Sequence, residues 1–118
     1  DASKSEQAEL EKKKVETQIE EIKKQISLQV LQSFKNYELA EKSIKSAQEM
    51  LNSMKISFRI VDKKYKEGMI NYVEYLDSRN KLLQTEINEI ITKYDLQQKI
   101  SELEKTSALV ELRDFLEK

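Results

Sequence analysis

Tyr65-Lys66-Glu67-Gly68-Met69-Ile70-Asn71-Tyr72-Val73-Glu74-Tyr75-Leu76-Asp77 is the stretch that decides the fold. It contains the only glycine among 118 residues, and the chain has no proline. Gly68 is therefore the one position where the backbone turns sharply without strain on a Cβ. One turn implies two long segments. On both sides of it apolar residues recur every three or four positions, the period of an amphipathic helix. The pattern predicts an all-α fold: a long antiparallel two-helix coiled-coil hairpin with its turn at Gly68. The whole chain, residues 1–118, reads as one hairpin, with a first helix over about 6–66, a tip over 67–71 and a second helix over 72–116.

Composition points the same way. Charged residues make up 36% of the chain and aromatics 7%, the usage of long helices rather than of a large-cored domain. Two helices bury one stripe each, so such a chain needs neighbours to cover its remaining apolar surface. Its 21 basic and 22 acidic residues are interspersed, as in Glu20-Glu21-Ile22-Lys23-Lys24, which describes a solvated helix surface of mixed sign. No basic face stands out, and the reading includes no nucleic-acid partner.

Histidine and cysteine are both absent. That removes disulfides, thiol chemistry, zinc sites and imidazole acid–base catalysis together. With no glycine-rich phosphate loop either, the sequence predicts no cofactor, no metal and no enzymatic activity. Apolar runs are far shorter than the ~20 residues of a membrane-spanning helix. The N-terminal Asp1-Ala2-Ser3-Lys4-Ser5 lacks the apolar core of a signal peptide.

The first helix is expected to start with Ser5 as N-cap, followed by Glu6 and Glu9 in the first turn. Its apolar seam begins Val15, Ile19, Ile22, Ile26 and passes Val30 and Phe34 to Tyr37. The eleven-residue step from Ile26 to Tyr37 implies a locally relaxed supercoil. Beyond it the heptad is regular: Tyr37, Ala40, Ile44, Ala47, Leu51, Met54, Phe58, Val61, Tyr65. Alternating large and small residues predict close interdigitation with a partner helix.

After the turn, Asn71 is placed to cap the second helix by accepting the amide of Val73 or Glu74, with Glu74 three residues on. The returning seam reads Val73, Leu76, Asn80, Leu83, Ile87, Ile90, Tyr94, then slides one residue out of phase through Leu96, Ile100, Leu103, Ser107 and Val110. Tyr75, Leu82 and Ile91 lie beside it and widen the apolar stripe. Either they shield the edge of the hairpin, or they form a second contact surface against other copies or another part of the polypeptide.

Tyr65-x-x-Gly68 followed by Val73-Glu74-Tyr75-Leu76-Asp77-Ser78-Arg79 resembles the helix-turn-helix tip of TolC-family outer-membrane efflux channels. Glu74 falls six residues and Asp77 nine residues after the glycine, as in that family. With the long helices on either side, the resemblance covers residues 9–112. It implies a segment of a trimeric channel serving multidrug efflux or type I secretion, whose helical hairpins form a twelve-helix periplasmic tunnel below an outer-membrane β-barrel. The chain would then be the periplasmic portion of an outer-membrane protein.

Carried over position by position, the resemblance makes Glu67, Gly68, Met69 and Ile70 the tip that docks on the hairpin of a periplasmic adaptor (membrane-fusion) protein. An inner-membrane transporter would be served indirectly, and other copies of the chain would complete the trimer. Glu74 and Asp77 match the carboxylates that ring the channel entrance, and Tyr65 matches an aromatic that helps hold that entrance closed. By their positions alone, Glu74 and Asp77 also serve the start of any helix, and Tyr65 also continues the heptad. One departure is Ile70, where some members carry an arginine of the closing network. Another is that strand segments for a barrel are absent and only one tip motif is present, as in a piece excised from the channel. Two other readings remain open at this point: the hairpin of an adaptor itself, and a generic coiled-coil scaffold.

Overall fold

A computed structural model describes all 118 residues. Helix α1 spans Ala2–Lys66 and helix α2 spans Tyr72–Glu117. No strand is present, and the fold is the all-α two-helix hairpin that the periodicity predicts. The expected cap at Ser5 does not form. The Ser5 amide instead donates to the Asp1 carbonyl at 3.1 Å, so helical bonding is already under way and α1 starts at Ala2. Nothing in Ala2–Ser5 opposes this, since the stretch has no glycine, proline or β-branched residue.

The turn is built from backbone bonds. Gly68 has φ 74°, the Gly68 amide donates to the Tyr65 carbonyl at 3.0 Å, and the Met69 amide reaches back to the Lys64 carbonyl at 2.8 Å. This is the Schellman arrangement, in which a left-handed residue just past the helix lets two amides satisfy carbonyls of its last turn. A Cβ at position 68 would meet no atom within 4 Å. The demand for glycine there is thus one of backbone conformation, not of space.

Asn71 starts α2 as predicted: its side-chain Oδ1 accepts the Glu74 amide at 2.8 Å. Asn71→Ala is expected to lower hairpin stability by about 1 kcal/mol, and Asn71→Asp by much less. Thermal melts followed by circular dichroism at 222 nm measure both.

The chain divides into two units. One comprises Asn36–Ile100 and includes the turn; the other joins Asp1–Lys35 with Ser101–Lys118. In the turn-bearing unit, α1 presents the predicted seam: Ala40, Ile44 and Ala47 are buried, and Tyr37, Leu51, Met54, Phe58, Val61 and Tyr65 are half-buried. In the other unit the seam differs from expectation. Ile19, Lys23, Ile26, Val30 and Ser33 are the covered positions, whereas Val15, Ile22 and Phe34 are exposed. These covered positions keep strict four-three spacing and the same phase as Tyr37. There is no stutter to relax, because the heptad runs straight through two polar residues, Lys23 and Ser33, that apolarity alone passes over.

Helix α2 departs further. Among its covered positions in the turn-bearing unit, Tyr75, Ser78, Leu82, Thr85, Glu89, Thr92, Leu96 and Lys99 again keep strict four-three spacing, with Glu86 and Asp95 half-buried beside them. Leu103, Thr106, Val110 and Arg113 hold the same phase in the other unit. Of the expected seam, Val73, Asn80, Leu83, Ile87, Ile90, Tyr94 and Ser107 are exposed, and Leu76 and Ile100 flank the true one. Tyr75 and Leu82, expected beside the seam, belong to it.

The seam threonines are tolerated because their hydroxyls turn back on their own helix. Thr85 donates to the Lys81 carbonyl at 2.7 Å, Thr92 to the Asn88 carbonyl at 2.9 Å, and Thr106 to the Leu103 carbonyl at 2.7 Å. Each hydroxyl is thereby satisfied without a partner on α1, and its methyl group is left to pack. In the unit without the turn, Arg113 donates to the Ser27 hydroxyl at 3.3 Å.

Candidate functional site: the hairpin tip

Four aromatic rings gather where α1 ends and α2 begins. Tyr65 and Tyr75 are stacked with centroids 4.5 Å apart; Phe58 lies 5.7 Å from Tyr75, and Tyr72 lies 6.1 Å from Tyr65 and 6.3 Å from Tyr75. Spacing explains the cluster. Phe58 and Tyr65 are one heptad apart on α1, and Tyr72 and Tyr75 are one turn apart on α2, so all four meet across the first layers of the seam. Tyr65 therefore has its ring engaged within its own hairpin.

The other predicted tip residues sit on the solvent side. Glu67 and Met69 are exposed and Ile70 is half-buried. Tyr72 and Val73, three and four residues after Met69, are exposed as well. The apolar tip surface is therefore Met69, Tyr72 and Val73, with Ile70 partly tucked under. Sequence reading assigned Met69 and Ile70 but missed Tyr72 and Val73. A signal for them existed: the first helical turn after a cap is solvated on most of its faces, so bulky apolar residues there stand out.

Glu74 and Asp77 are both exposed in the first turns of α2. They differ in partners. Asp77 pairs with Lys81 at 3.0 Å, one helical turn on, while Glu74 follows the cap and faces the positive end of the helix. On α1, Lys66 pairs with Asp62 at 2.9 Å. The hydrogen bond and then the charge of Asp62 hold the Lys66 ammonium above its ordinary range. A raised folded-state value contributes fully at and below neutral pH and is lost only as pH climbs through the alkaline range. Lys66 thus stays charged across physiological pH.

The chain is thus an all-α hairpin of two helices whose turn carries exposed apolar residues. The model of the family described as outer membrane efflux protein matches residues 2–108, and the chain belongs to that family. Neither a curated protein nor a solved structure matches it. No helix of the chain is long and apolar enough to cross a membrane.

Proposed function

We propose that the hairpin is a periplasmic wall element of a trimeric efflux or secretion channel and that its tip docks on the hairpin of a periplasmic adaptor protein. Membership of the efflux family supports the channel role. The observation that carries the docking role is the exposed apolar group Met69, Tyr72 and Val73 at a turn stiffened by the Schellman bonds and the tyrosine stack. A rigid apolar projection binds with little ordering cost, which is what a hot spot requires. Glu67, Gly68 and Ile70 shape the same projection. An inner-membrane transporter is engaged indirectly, through the adaptor.

In this reading Glu74 and Asp77 face the entrance and give it a negative potential when several copies converge. Glu74 contributes the larger share, because Lys81 offsets Asp77. Tyr65 acts on closure by holding the orientation of the tip through Tyr75. The adaptor and scaffold readings are weaker: the family match favours the channel over both.

The test is binding of the chain to the adaptor hairpin of the same organism. Met69→Ser combined with Ile70→Ser is expected to weaken binding at least tenfold with helicity retained. Unchanged affinity in that variant overturns the docking role.

A further inference from the structure

The outer stripe of α2, where Leu83, Ile87 and Ile90 are exposed, is apolar and says nothing of a partner's charge. The outer face of α1 beside the turn is different. Along most of that helix charge is balanced: residues 2–54 hold nine cations and nine carboxylates, and each of those cations has a carboxylate three or four residues away. The last three turns break the pattern. Residues 55–66 hold five cations, Lys55, Arg59, Lys63, Lys64 and Lys66, against Asp62 alone. Asp62 is taken by Lys66 at 2.9 Å, and the other four cations are exposed and make no ion pair. The first turns of α2 do not offset them, since Glu74 and Asp77 are matched in number by Arg79 and Lys81.

The helix dipole accounts for part of this excess. It favours cations in the last turn, where Lys63, Lys64 and Lys66 lie, and fades beyond it. Arg59 and Lys55 stand about two and three turns back from the end and owe nothing to it. Their arrangement is a ridge: Lys55, Arg59 and Lys63 are spaced four and four, the row that packing helices interlock, and Ile56 and Ile60 form the adjacent row at 58% and 53% exposure. At about 100° per residue the five residues fill one sector, roughly 140° wide, on the side away from the seam of Met54, Phe58, Val61 and Tyr65. The cationic row is about 12 Å long at 1.5 Å per residue and runs back from the tip. Two isoleucines in water beside three unpaired cations call for a cover that is apolar and negative together.

We propose that this face receives an acidic helix of the docking partner, whose carboxylates, one turn apart, meet Lys55, Arg59 and Lys63 while its apolar residues cover Ile56 and Ile60. The proposal rests on the adaptor-docking reading and deepens it: Met69 and its neighbours make the end contact, and the ridge sets the side from which the partner's helix arrives. Charge favours a helix over an anionic membrane. A membrane meets the whole rod, and α2 carries ten carboxylates against six cations, which a negative surface repels. A helix about three turns long touches the ridge alone.

Binding of the 118-residue chain to the adaptor hairpin of the same organism, measured across a salt series with circular dichroism as the folding control, tests it. Wild-type affinity is expected to fall about fivefold between roughly 50 mM and 500 mM salt. Lys55→Gln/Arg59→Gln should weaken binding about three- to tenfold at the low end and flatten the salt dependence. Ile56→Ser/Ile60→Ser should weaken binding and leave the salt dependence as it was. Lys42→Gln/Lys45→Gln removes the same charge from the balanced part of α1 and should change neither. None of these six positions lies in the seam or the last turn, so helicity is retained. The proposal is overturned by a Lys55→Gln/Arg59→Gln chain with wild-type affinity and salt dependence, by a Lys42→Gln/Lys45→Gln chain weakened as much, or by wild-type binding to phosphatidylglycerol vesicles that Lys55→Gln/Arg59→Gln abolishes. If Met69→Ser/Ile70→Ser abolishes adaptor binding while the ridge variants bind normally, docking at the tip stands and the ridge proposal falls; a wild-type chain that binds no adaptor hairpin overturns both.

Discussion

Ile44→Ala is expected to destabilise the hairpin by about 2–4 kcal/mol, whereas Ile87→Ala changes it by no more than about 0.5 kcal/mol. The substitutions are chemically identical; only their surroundings differ. Ile44 is 8% exposed, between Ala40 and Ala47, and Ile87 is 47% exposed on the outer stripe. Removing three carbons at Ile44 leaves a gap that two long helices cannot close locally, because their separation is set by the neighbouring layers. At Ile87 the lost burial is small and is partly offset by alanine's better helix propensity. Urea unfolding at low protein concentration, where association does not contribute, separates the two. Equal losses would mean that the covered face of α2 is the one apolarity selects, and would refute the seam described above.

The second large effect is at the tip. Tyr75→Ala removes the ring that touches Phe58, Tyr65 and Tyr72 together, and a loss of about 2–3 kcal/mol is expected from burial and ring-pair terms combined. Tyr75→Phe keeps the stack and should restore most of it. The experiment has a functional arm too. If tip rigidity supports docking, adaptor affinity falls in Tyr75→Ala and is held in Tyr75→Phe, although neither changes the exposed Met69. Denaturant midpoints and adaptor binding, measured on the same samples, test both arms.

The legibility of this fold in its sequence was uneven, and the cause is chemical. A lone glycine in a chain without proline fixed the turn, and Asn71 fixed the start of α2, because each has a backbone role that other residue types fill poorly. From Tyr37 to Tyr65 every seam position of α1 is apolar or alanine, so periodicity alone finds the seam. On α2 it does not. There the covered positions include Ser78, Thr85, Glu89, Thr92 and Lys99, while Leu83, Ile87 and Ile90 face outward. Picking the most apolar stripe therefore selects the wrong face. The assumption behind that choice is that a helix turns its most apolar side toward its nearest partner, and α2 does not. Threonine hides the true seam well, since it scores as polar while its hydroxyl is consumed by its own backbone. The same assumption sent the α1 reading to Ile22 and Phe34 in place of Lys23 and Ser33.

The site was legible to a similar degree. Gly68 and Met69 stand where the motif puts them, at the turn and in solvent. Ile70 is half-buried, and Tyr72 was overlooked because its signal lies in its place in the first turn after Asn71 and not in the motif. Tyr65 shows how a heptad position and a motif position coincide. Its stacking on Tyr75 is a seam contact, and any action on channel closure is exerted through that stack.

The inward-bonded threonines have a consequence for register. Thr85, Thr92 and Thr106, seven and fourteen residues apart, hold one heptad position and have no unspent hydroxyl to offer α1, so these layers alone do not distinguish one alignment of the helices from another seven residues away. What selects the alignment is the short tether 67–71 and the tyrosine group beside it. The end of the hairpin thus acts as the zero mark of a ruler whose other graduations are nearly alike. Lengthening the tether by a few residues would leave both helices helical, yet free them to settle one division out of place.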